Sequence, residues 1–381
     1  MKQILKRCFR TEGGRCDLPF LVFALILMSL GTVMVISSGH AYAEFRYGDA
    51  LYFTKRQLIW LAVGISAMLF SSRLNPRVLK KATVPAYALT VILLLLVLVI
   101  GFVGNGAKRW ISVGPVTIQP SEIAKLTMVM TLALYFSKNE SRATEAKSGR
   151  SSLIYGTVIP FSIMLLPITL VMLQKHLSCI IILGTIGLLL IIMAGVNLKY
   201  ISVCCGLGAL GVSYIAFFTD YTKERITVWQ NPELYKLTGG WQTLQGLMAI
   251  GSGGIFGKGL GGGELKYCYV SEPANDMIFA ILCEELGLVG AAVTLAVFGV
   301  FIFRGYKIAL NASDTYERLL ALGIITKIAI QCLLNVAVVT NTIPNTGISL
   351  PFFSYGGSSL VMLLFEVGIV LSVSRSSRIQ K

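Results

Sequence analysis

A small set of charged side chains lies inside long apolar stretches of this sequence, where charges are costly. They are Glu122, Lys125, Asp276, Glu284, Glu285, Lys327 and Glu366. A charge at the centre of a bilayer costs at least about 2.5–3.5 kcal/mol, so such residues are functional candidates. An acid with a raised pKa suits general-base chemistry, and clustered cations suit an anionic ligand such as a phosphate.

Asp276 is the candidate general base. It follows the polar segment 271–275 and precedes the apolar residues of a long helix. The structural alternative is that Asp276 caps this helix. Partial burial at a membrane boundary would raise its pKa, which favours a base. Glu272 is the second carboxyl of this segment and the next candidate.

A second group of polar residues surrounds the predicted start of another helix. Glu122 and Lys125 are three residues apart and therefore share one helix face. They could form a self-satisfied ion pair, or they could line a ligand site. Ser121 is able to cap the helix, and two cations of the preceding loop, Lys108 and Arg109, favour an anionic ligand beside it.

Other polar segments give weaker signals. We expect Glu284 or Glu285 to pack against a polar neighbour such as Lys327. The glycine-rich run 251–263 lacks the spacing of a nucleotide-binding loop and instead predicts close backbone approach. The segment 343–359, rich in Gly, Ser and Pro, predicts either a re-entrant cap on the helices or one wall of a groove for a lipid headgroup.

The composition is that of an integral membrane protein. Of 381 residues, 55% are hydrophobic and 13% are charged, and the mean hydropathy is +0.75. Soluble domains carry about 25% charged residues. The net charge of +15 is explained by basic residues, which collect on the cytoplasmic loops of membrane proteins. We therefore expect no nucleic-acid partner. His40 and His176 are far apart in the sequence, which makes a histidine metal site improbable.

The apolar segments predict an all-α polytopic membrane protein with about ten transmembrane helices in a single domain, 1–381. Lys and Arg are denser on the side that holds both termini, so 1–17 and 375–381 are predicted to be cytoplasmic. A large extracytoplasmic loop, 219–274, separates helices seven and eight. The predicted spans are 18–38, 57–72, 84–103, 121–137, 153–173, 177–196, 200–218, 275–303, 316–340 and 353–374.

Four motifs, in order over nearly the whole chain, resemble the SEDS family of shape, elongation, division and sporulation proteins. They are Gly106-Ala107-Lys108-Arg109-Trp110-Ile111, Gln119-Pro120-Ser121-Glu122-Ile123-Ala124-Lys125, Ala249-Ile250-Gly251-Ser252-Gly253-Gly254 and Pro351-Phe352-Phe353-Ser354-Tyr355-Gly356-Gly357-Ser358-Ser359. Asn105 and the segment 52–58 resemble the division and sporulation members more than the elongation members.

The resemblance implies a bacterial peptidoglycan glycosyltransferase of the cytoplasmic membrane that polymerises lipid II during septal synthesis and releases undecaprenyl diphosphate. The implied partners are lipid II, undecaprenyl-linked glycan, a class B penicillin-binding protein, other division proteins and membrane lipids. The implied catalytic acid is Asp276. The substrate-binding residues would be Arg109, Lys108, Glu122, Lys125, Gln119, Glu272, Ser354, Tyr355 and Ser358.

Two segments depart from the family pattern. Where members often have Pro-Glu-Ala-His-Thr-Asp, this chain has 271–276 without the histidine. Where members often have Gln-Pro-Asp-Leu-Gly-Thr, it has 174–179, in which His176 replaces an acid. A catalytic role for residues 174–179 is therefore in doubt.

The chemistry can be assembled from these residues. In the reaction that the resemblance implies, a sugar 4-hydroxyl, deprotonated by Asp276, attacks an anomeric carbon and displaces diphosphate with inversion; Glu272, as a second carboxylate, keeps a retaining route open. Positive charge for the diphosphate comes from Arg109 and Lys125, or from a divalent cation, magnesium or manganese. No nucleotide or organic cofactor is expected. A lipid II flippase and a non-catalytic scaffold for the penicillin-binding protein are the alternatives.

Overall fold

A computed structural model describes residues 16–104, 107–114, 116–144, 153–202, 206, 220–267 and 269–376. Its helices are α1 (Leu18–Tyr47), α2 (Tyr52–Arg73), α3 (Pro76–Ile100), α4 (Pro120–Thr144), α5 (Ile159–Leu173), α6 (Leu177–Met193), α7 (Asp220–Gln230), α8 (Trp241–Gly253), α9 (Ile278–Leu310), α10 (Thr315–Val339) and α11 (Gly357–Ser374). A π-helical turn, Ile154–Val158, precedes α5. Three short strands, β1 (Phe102–Gly104), β2 (Ala107–Val113) and β3 (Val116–Ile118), lie between α3 and α4.

The helices are those of a polytopic membrane protein. Within the described residues, six are long and apolar enough to cross a bilayer: α1, α3, α5 with its preceding turn, α9, α10 and α11. The apolar α6 is shorter, at 17 residues. The predicted class is thereby confirmed, whereas the count of ten stays a prediction. Most of the predicted seventh span, 200–218, lies outside the described residues.

The structure adds a small antiparallel sheet that the sequence reading treated as loop. Strands β1, β2 and β3 pair in that order, with Phe102 opposite Trp110 and Ile111 opposite Ile118. The turn after β2 contains Gly114 with a φ of 62°. Hairpins satisfy their own backbone groups, so this segment can lie against the helices without unpaired peptides.

Local sequence sets the helix ends. At the start of α1, the Asp17 carboxylate accepts a hydrogen bond of 2.9 Å from the Phe20 amide. Asn75 caps α3 in the same way, since its side-chain oxygen accepts a hydrogen bond from the Arg77 amide. Gly48 ends α1 in the left-handed conformation, which costs glycine no side-chain clash.

Small residues allow α2 and α11 to approach closely. A Cβ atom added to Gly368 would lie 2.0 Å from Ser71 Oγ, and one added to Gly64 would lie 2.6 Å from a methyl carbon of Leu364. The Ser71 hydroxyl also donates to the Phe365 carbonyl at 2.8 Å. Such contacts are the usual basis of helix association in a bilayer.

The glycine-rich run packs against a break in α9. Gly287 interrupts α9 with a φ of 66° and a ψ of −169°. The Lys258 and Gly259 amides donate to the carbonyls of Glu284 and Glu285 at 3.0 and 2.9 Å. A Cβ atom added to Gly257 would lie 2.2 Å from the Glu285 carbonyl oxygen. The predicted close backbone approach is confirmed.

The segment 219–274 is folded over most of its described length. It contains α7 and α8, and α8 packs along α9. The Trp229 indole donates to the Asn341 carbonyl at 2.9 Å, and the Asn345 amide donates to Gln242 at 3.1 Å. These bonds fasten the segment to the loop between α10 and α11.

The first and last helices meet at the other end of the bundle. The Asp17 amide donates to Ser374 Oγ at 3.1 Å, and the Arg304 guanidinium pairs with the Asp17 carboxylate at 2.6 Å. The Asp17 side chain is buried. One acid therefore joins α1, α9 and α11.

Candidate active site

Asp276 lies in the turn just before α9 and is partly exposed. Helix α9 begins at Ile278, and its N-cap residue, Met277, makes no side-chain capping bond. Asp276 therefore does not cap this helix, and the capping alternative is wrong. The buried Asn335 of α10 instead holds the turn, since its amide donates to the Asp276 carbonyl at 3.0 Å and to the Ile348 carbonyl at 2.6 Å.

Gly347 brings the last interhelical loop against the Asp276 carboxylate. Its φ is 70°, a conformation that favours glycine. A Cβ atom there would lie 3.0 Å from Asp276 Oδ2. The absence of a side chain thus lets the backbone cover one side of the carboxyl. Sequence reasoning missed both Gly347 and Asn335, although an Asn in an apolar span was a usable signal.

The Asp276 carboxyl has the protonation behaviour of a base. Burial, with a smaller contribution from the Glu272 carboxylate, raises its pKa to about 6, although the Arg109 guanidinium opposes the shift. The Glu272 backbone has a φ of 52°, and its carboxylate accepts a bond of 2.6 Å from the Asn275 amide. The two predicted acids therefore lie within electrostatic reach of each other.

Arg109 extends from β2 toward the segment between α5 and α6. Its guanidinium donates to the Lys175 carbonyl at 2.7 Å, where Lys175 has a φ of 53°. The neighbouring His176 ring is buried, and its Nδ1 lies 3.4 Å from Ser121 Oγ. Burial, together with the charges of Arg109 and Lys125, lowers the His176 pKa to about 3. This ring is neutral at physiological pH.

Ser121 does not cap α4 as the sequence suggested. It lies in the first turn, after Pro120, and its hydroxyl is directed to His176 instead of to the helix backbone. A histidine at this position offers the hydroxyl a competing partner, which sequence alone did not reveal. Residues 174–179 thus help to position Arg109 without supplying an acid.

Two ion pairs lie deeper between α4, α10 and α11. Lys125 Nζ is 2.7 Å from Glu122 Oε1, and both side chains are buried. Lys327 pairs with Glu366. A cavity of about 20 Å³ lies between Glu122 and Lys327, lined also by Gln331, Ser349, Ser354 and Ser359. Its size suits roughly one water molecule.

The expected pairing of Lys327 with Glu284 or Glu285 is wrong. Glu284 accepts bonds from Lys258 Nζ at 3.1 Å and from the Glu264 amide at 2.9 Å. Glu285 pairs with Lys266 at 2.6 Å. Both acids leave α9 on the side of the glycine-rich segment, whereas Lys327 is turned toward α11. The rotation of each helix about its axis decides this choice of partner.

The other predicted substrate-binding residues occupy three environments. Lys108 is exposed on β2, and Gln119 is buried before α4. The Ser354 hydroxyl donates to the Asn275 carbonyl at 2.8 Å, and the Tyr355 amide donates to the Ala274 carbonyl at 2.8 Å. Ser358 lies in the first turn of α11. The segment 350–356 therefore fastens directly to the turn that carries Asp276.

The structure thus brings together Asp276, Glu272 and Arg109, and places Lys125 apart from them in a buried pair. In the segment 350–356, Pro351, Phe352 and Phe353 are buried, which fits the re-entrant interpretation of that loop. The polar groups needed for acid–base and anion chemistry meet at one end of the helix bundle.

Comparison with known proteins identifies the family. Residues 17–379 match the family model described as a cell cycle protein of the FtsW, RodA and SpoVE type. The chain belongs to the FtsW/RodA/SpoVE family. Stage V sporulation protein E of Bacillus subtilis (strain 168) is 38% identical over 97% of this chain and 99% of the relative. A probable peptidoglycan glycosyltransferase FtsW of Geobacter metallireducens is 36% identical over 95% of this chain and 96% of its own.

Solved structures agree with this membership in the FtsW/RodA/SpoVE family. A chain from a peptidoglycan synthase complex that coordinates polymerization and crosslinking is 26% identical, with a TM-score of 0.77 over 94% of this chain and 98% of its own. The rod shape determining protein RodA of Thermus thermophilus is 25% identical, with a TM-score of 0.70 over 95% of this chain and 98% of its own. The resemblance drawn from the four motifs, including its division and sporulation branch, is confirmed.

Proposed function

We propose that this chain is a peptidoglycan glycosyltransferase that polymerises lipid II into glycan strands. Asp276 carries the proposal, since it is an acid with a pKa raised to about 6 that lies beside Arg109 at one end of a membrane helix bundle. Relatives named as probable peptidoglycan glycosyltransferases, which the chain matches over nearly its whole length, support the same activity.

Asp276 is the proposed general base. Its carboxylate takes the proton of the acceptor 4-hydroxyl while that oxygen bonds to the anomeric carbon of the donor. The bond from the anomeric carbon to the diphosphate oxygen breaks, and the diphosphate leaves with the electron pair. A single displacement inverts the anomeric centre; Glu272, as a second nearby carboxylate, keeps a retaining route open.

Arg109 is the proposed direct contact of the departing diphosphate. A guanidinium can bind phosphate oxygens through two parallel N–H donors and stabilises the charge that develops there. Lys108 is exposed on the same strand and adds positive charge. Lys125 was predicted to share this task, but its ammonium is committed to Glu122. We therefore assign the Glu122–Lys125 pair to holding the start of α4 in place.

We further propose that a divalent cation can assist Arg109 at the diphosphate. Magnesium is commonly held by one or two protein carboxylates together with substrate phosphates. Glu272 and Asp276 fit that requirement, because they are two neighbouring carboxyls beside the proposed diphosphate site. Within the described residues, no group of three or more His, Cys, Asp and Glu side chains converges as a metal site. The ion would neutralise diphosphate charge.

The family membership supports a proposal for the cellular setting. We propose about ten transmembrane helices with both termini cytoplasmic, and the loop 219–274 and Asp276 outside. We further propose action at the division septum with a class B penicillin-binding protein and other division proteins. The similarity to a chain of a peptidoglycan synthase complex that couples polymerization to crosslinking supports a transpeptidase partner.

The decisive experiment uses purified protein and lipid II, with and without the partner synthase, and resolves the glycan on a gel. The wild-type chain should form polymer, and Asp276→Asn should lose about 10²–10⁴-fold in rate, the usual effect of removing a general base. Asn keeps the side-chain size, so insertion and partner binding should persist. Near wild-type polymerisation by Asp276→Asn would transfer the role to Glu272.

The same material separates the alternatives. A scaffold would give no polymer in the absence of an active polymerising partner. A flippase would move fluorescent lipid II between the leaflets of vesicles without forming glycan. Either result would overturn the proposed glycosyltransferase.

A further inference from the structure

Aromatic rings and guanidinium groups form a stack where α1 ends and α2 begins. The Tyr47 and Tyr52 rings are nearly parallel, with centroids 4.0 Å apart. The Arg56 guanidinium lies 4.4 Å from the Tyr52 ring centre, and the Arg46 guanidinium lies 6.0 Å from that of Tyr47. We call these four residues the arginine–tyrosine stack. Both arginines are exposed.

Neither arginine of the stack forms a salt bridge within the described residues. Within the described residues, neither Arg46 nor Arg56 has a carboxylate oxygen within 4.0 Å, whereas the adjacent Lys55 pairs with Asp49 at 2.9 Å. Aromatic faces hold a guanidinium without consuming its N–H donors. Arg46 donates to the Tyr42 hydroxyl, which leaves other donors for a ligand. Two oriented cations therefore have N–H donors available for an anion.

The stack lies at the same end of the bundle as Asp276. Phe53, which packs edge-on against Tyr52, also packs against Tyr355 with ring centres 4.8 Å apart. The Tyr355 amide bonds to the Ala274 carbonyl, two residues before Asp276. Burial raises the pKa of the Tyr355 phenol, and the nearby Arg56 partly opposes this shift.

The two cationic groups reach different members of the acidic pair. Arg46 interacts electrostatically with Glu272, whereas Arg109 interacts with Asp276. Glu272 and Asp276 in turn influence each other. The candidate base is thus reached by one cation from β2, and the acid beside it, Glu272, is reached by Arg46 at the end of α1.

We propose that the arginine–tyrosine stack binds the diphosphate of the second lipid-linked substrate. The inference rests on the proposed function, because polymerisation joins two lipid-linked saccharides and each carries a diphosphate at the membrane surface. Arg109 takes the diphosphate that leaves, and the stack takes the one that stays on the acceptor. Paired guanidiniums suit a diphosphate, since each can bind one phosphate through two donors.

A bilayer phospholipid could supply the same chemical group. Tyr and Arg are common at the ends of membrane helices, where they contact headgroups. The acceptor diphosphate is favoured here because Phe53 packs against both Tyr52 of the stack and Tyr355 of the candidate site, because Glu272 acts electrostatically on Arg46, and because two cations match two phosphates. The experiment has to separate these two sources.

The number of bound lipid diphosphates can be measured without catalysis. Native mass spectrometry of the purified full chain with undecaprenyl diphosphate should show two bound molecules for the wild type and one for Arg46→Gln/Arg56→Gln. Arg109→Ala should also retain one. Lys55→Gln, which removes an exposed cation from the same turn of α2, should retain two. Undecaprenol, which has the tail and no phosphate, should compete for neither. Two molecules on the Arg46→Gln/Arg56→Gln variant would overturn the proposal.

Kinetics identify the source of the phosphate. In vesicles of phosphatidylcholine alone, Arg46→Gln/Arg56→Gln should raise the lipid II concentration for half-maximal polymerisation by about tenfold or more, as expected for a lost charged hydrogen bond. Lys55→Gln should match the wild type. If the double variant equals the wild type there and differs from it when phosphatidylglycerol is added, the stack binds bilayer lipid and the proposal is wrong. If the wild type forms no polymer, the proposed function fails. The number of undecaprenyl diphosphate molecules bound in the mass spectra still tests whether the stack binds a diphosphate.

Discussion

At Asp276 the chemistry depends on a carboxyl that must be deprotonated to accept a proton. Burial and the neighbouring Glu272 carboxylate together raise its pKa to about 6, against the opposing charge of Arg109. The base form is therefore lost as the pH falls through 6, well above the range in which an exposed aspartate would titrate. The pH dependence of activity reports directly on this residue.

We expect kcat/KM for lipid II to be level above about pH 7 and to fall about tenfold per pH unit below the Asp276 pKa. Glu272→Gln removes a like charge, so it should lower that pKa and move the acid limb to lower pH while activity persists. Initial polymerisation rates between about pH 5 and pH 8 test both points. An acid limb that stays at the same pH in Glu272→Gln would contradict the influence of Glu272 on the Asp276 pKa.

Among the elements, α9 depends on the glycine-rich segment that packs against its break. The carbonyls at the break accept bonds from the Lys258 and Gly259 amides, and Glu284 accepts bonds from the Glu264 amide and Lys258. The break in α9 is thus satisfied by another part of the chain, as backbone at membrane depth requires.

Gly257→Ala should destabilise this junction by about 1–3 kcal/mol, the usual cost of overpacking. Its φ is 78°, and the new methyl would meet the Glu285 carbonyl oxygen at 2.2 Å. Gly251→Ala is the matched control, because nothing lies within 4 Å of its added Cβ and Ala favours the interior of α8. Thermal unfolding in detergent should rank Gly257→Ala below the wild type and Gly251→Ala at or above it. Equal melting of the two variants would contradict the contact.

Sequence predicted the apolar helices because the length of a hydrophobic run is a local property. It also predicted that glycines in 251–263 permit close approach. It could not predict the partner of Lys327, since the rotation of α10 relative to α11 depends on packing over both whole helices. Strands β1 and β3, with three residues each, are too short to give a clear alternating pattern. The contribution of Gly347 arises from a contact with a residue distant in the sequence.

For the molecule as a whole, the orientation in the membrane determines on which side of the bilayer the candidate site lies. The segment 219–274 is fastened to the loop between α10 and α11 and lies with Asp276 at one end of the bundle. The asymmetry of Lys and Arg predicts that this end is extracytoplasmic. The proposed polymerisation of lipid II at the outer face of the cytoplasmic membrane requires that orientation.

Cysteines introduced at Lys236 and Glu264, both exposed, should react with a membrane-impermeant maleimide in intact cells that lack an outer-membrane barrier. A cysteine at the exposed Ser313, between α9 and α10, is the control for the opposite side and should react only after lysis. Labelling is read above that of the parent chain, which has its own thiols. Protection at Lys236 and Glu264 together with labelling at Ser313 would reverse the topology.

The contacts of Asp17 impose an order on assembly during synthesis. Its carboxylate pairs with Arg304, and its amide bonds to Ser374, which are encoded 287 and 357 residues later. While the ribosome is still translating the middle of the chain, the acid at the start of α1 has neither partner, and it must stay hydrated at the membrane surface because burial without a partner is costly. Helix α1 can therefore settle into its final position only after α11 has left the ribosome, so a nascent chain arrested before α11 should leave α1 open to quality-control proteases.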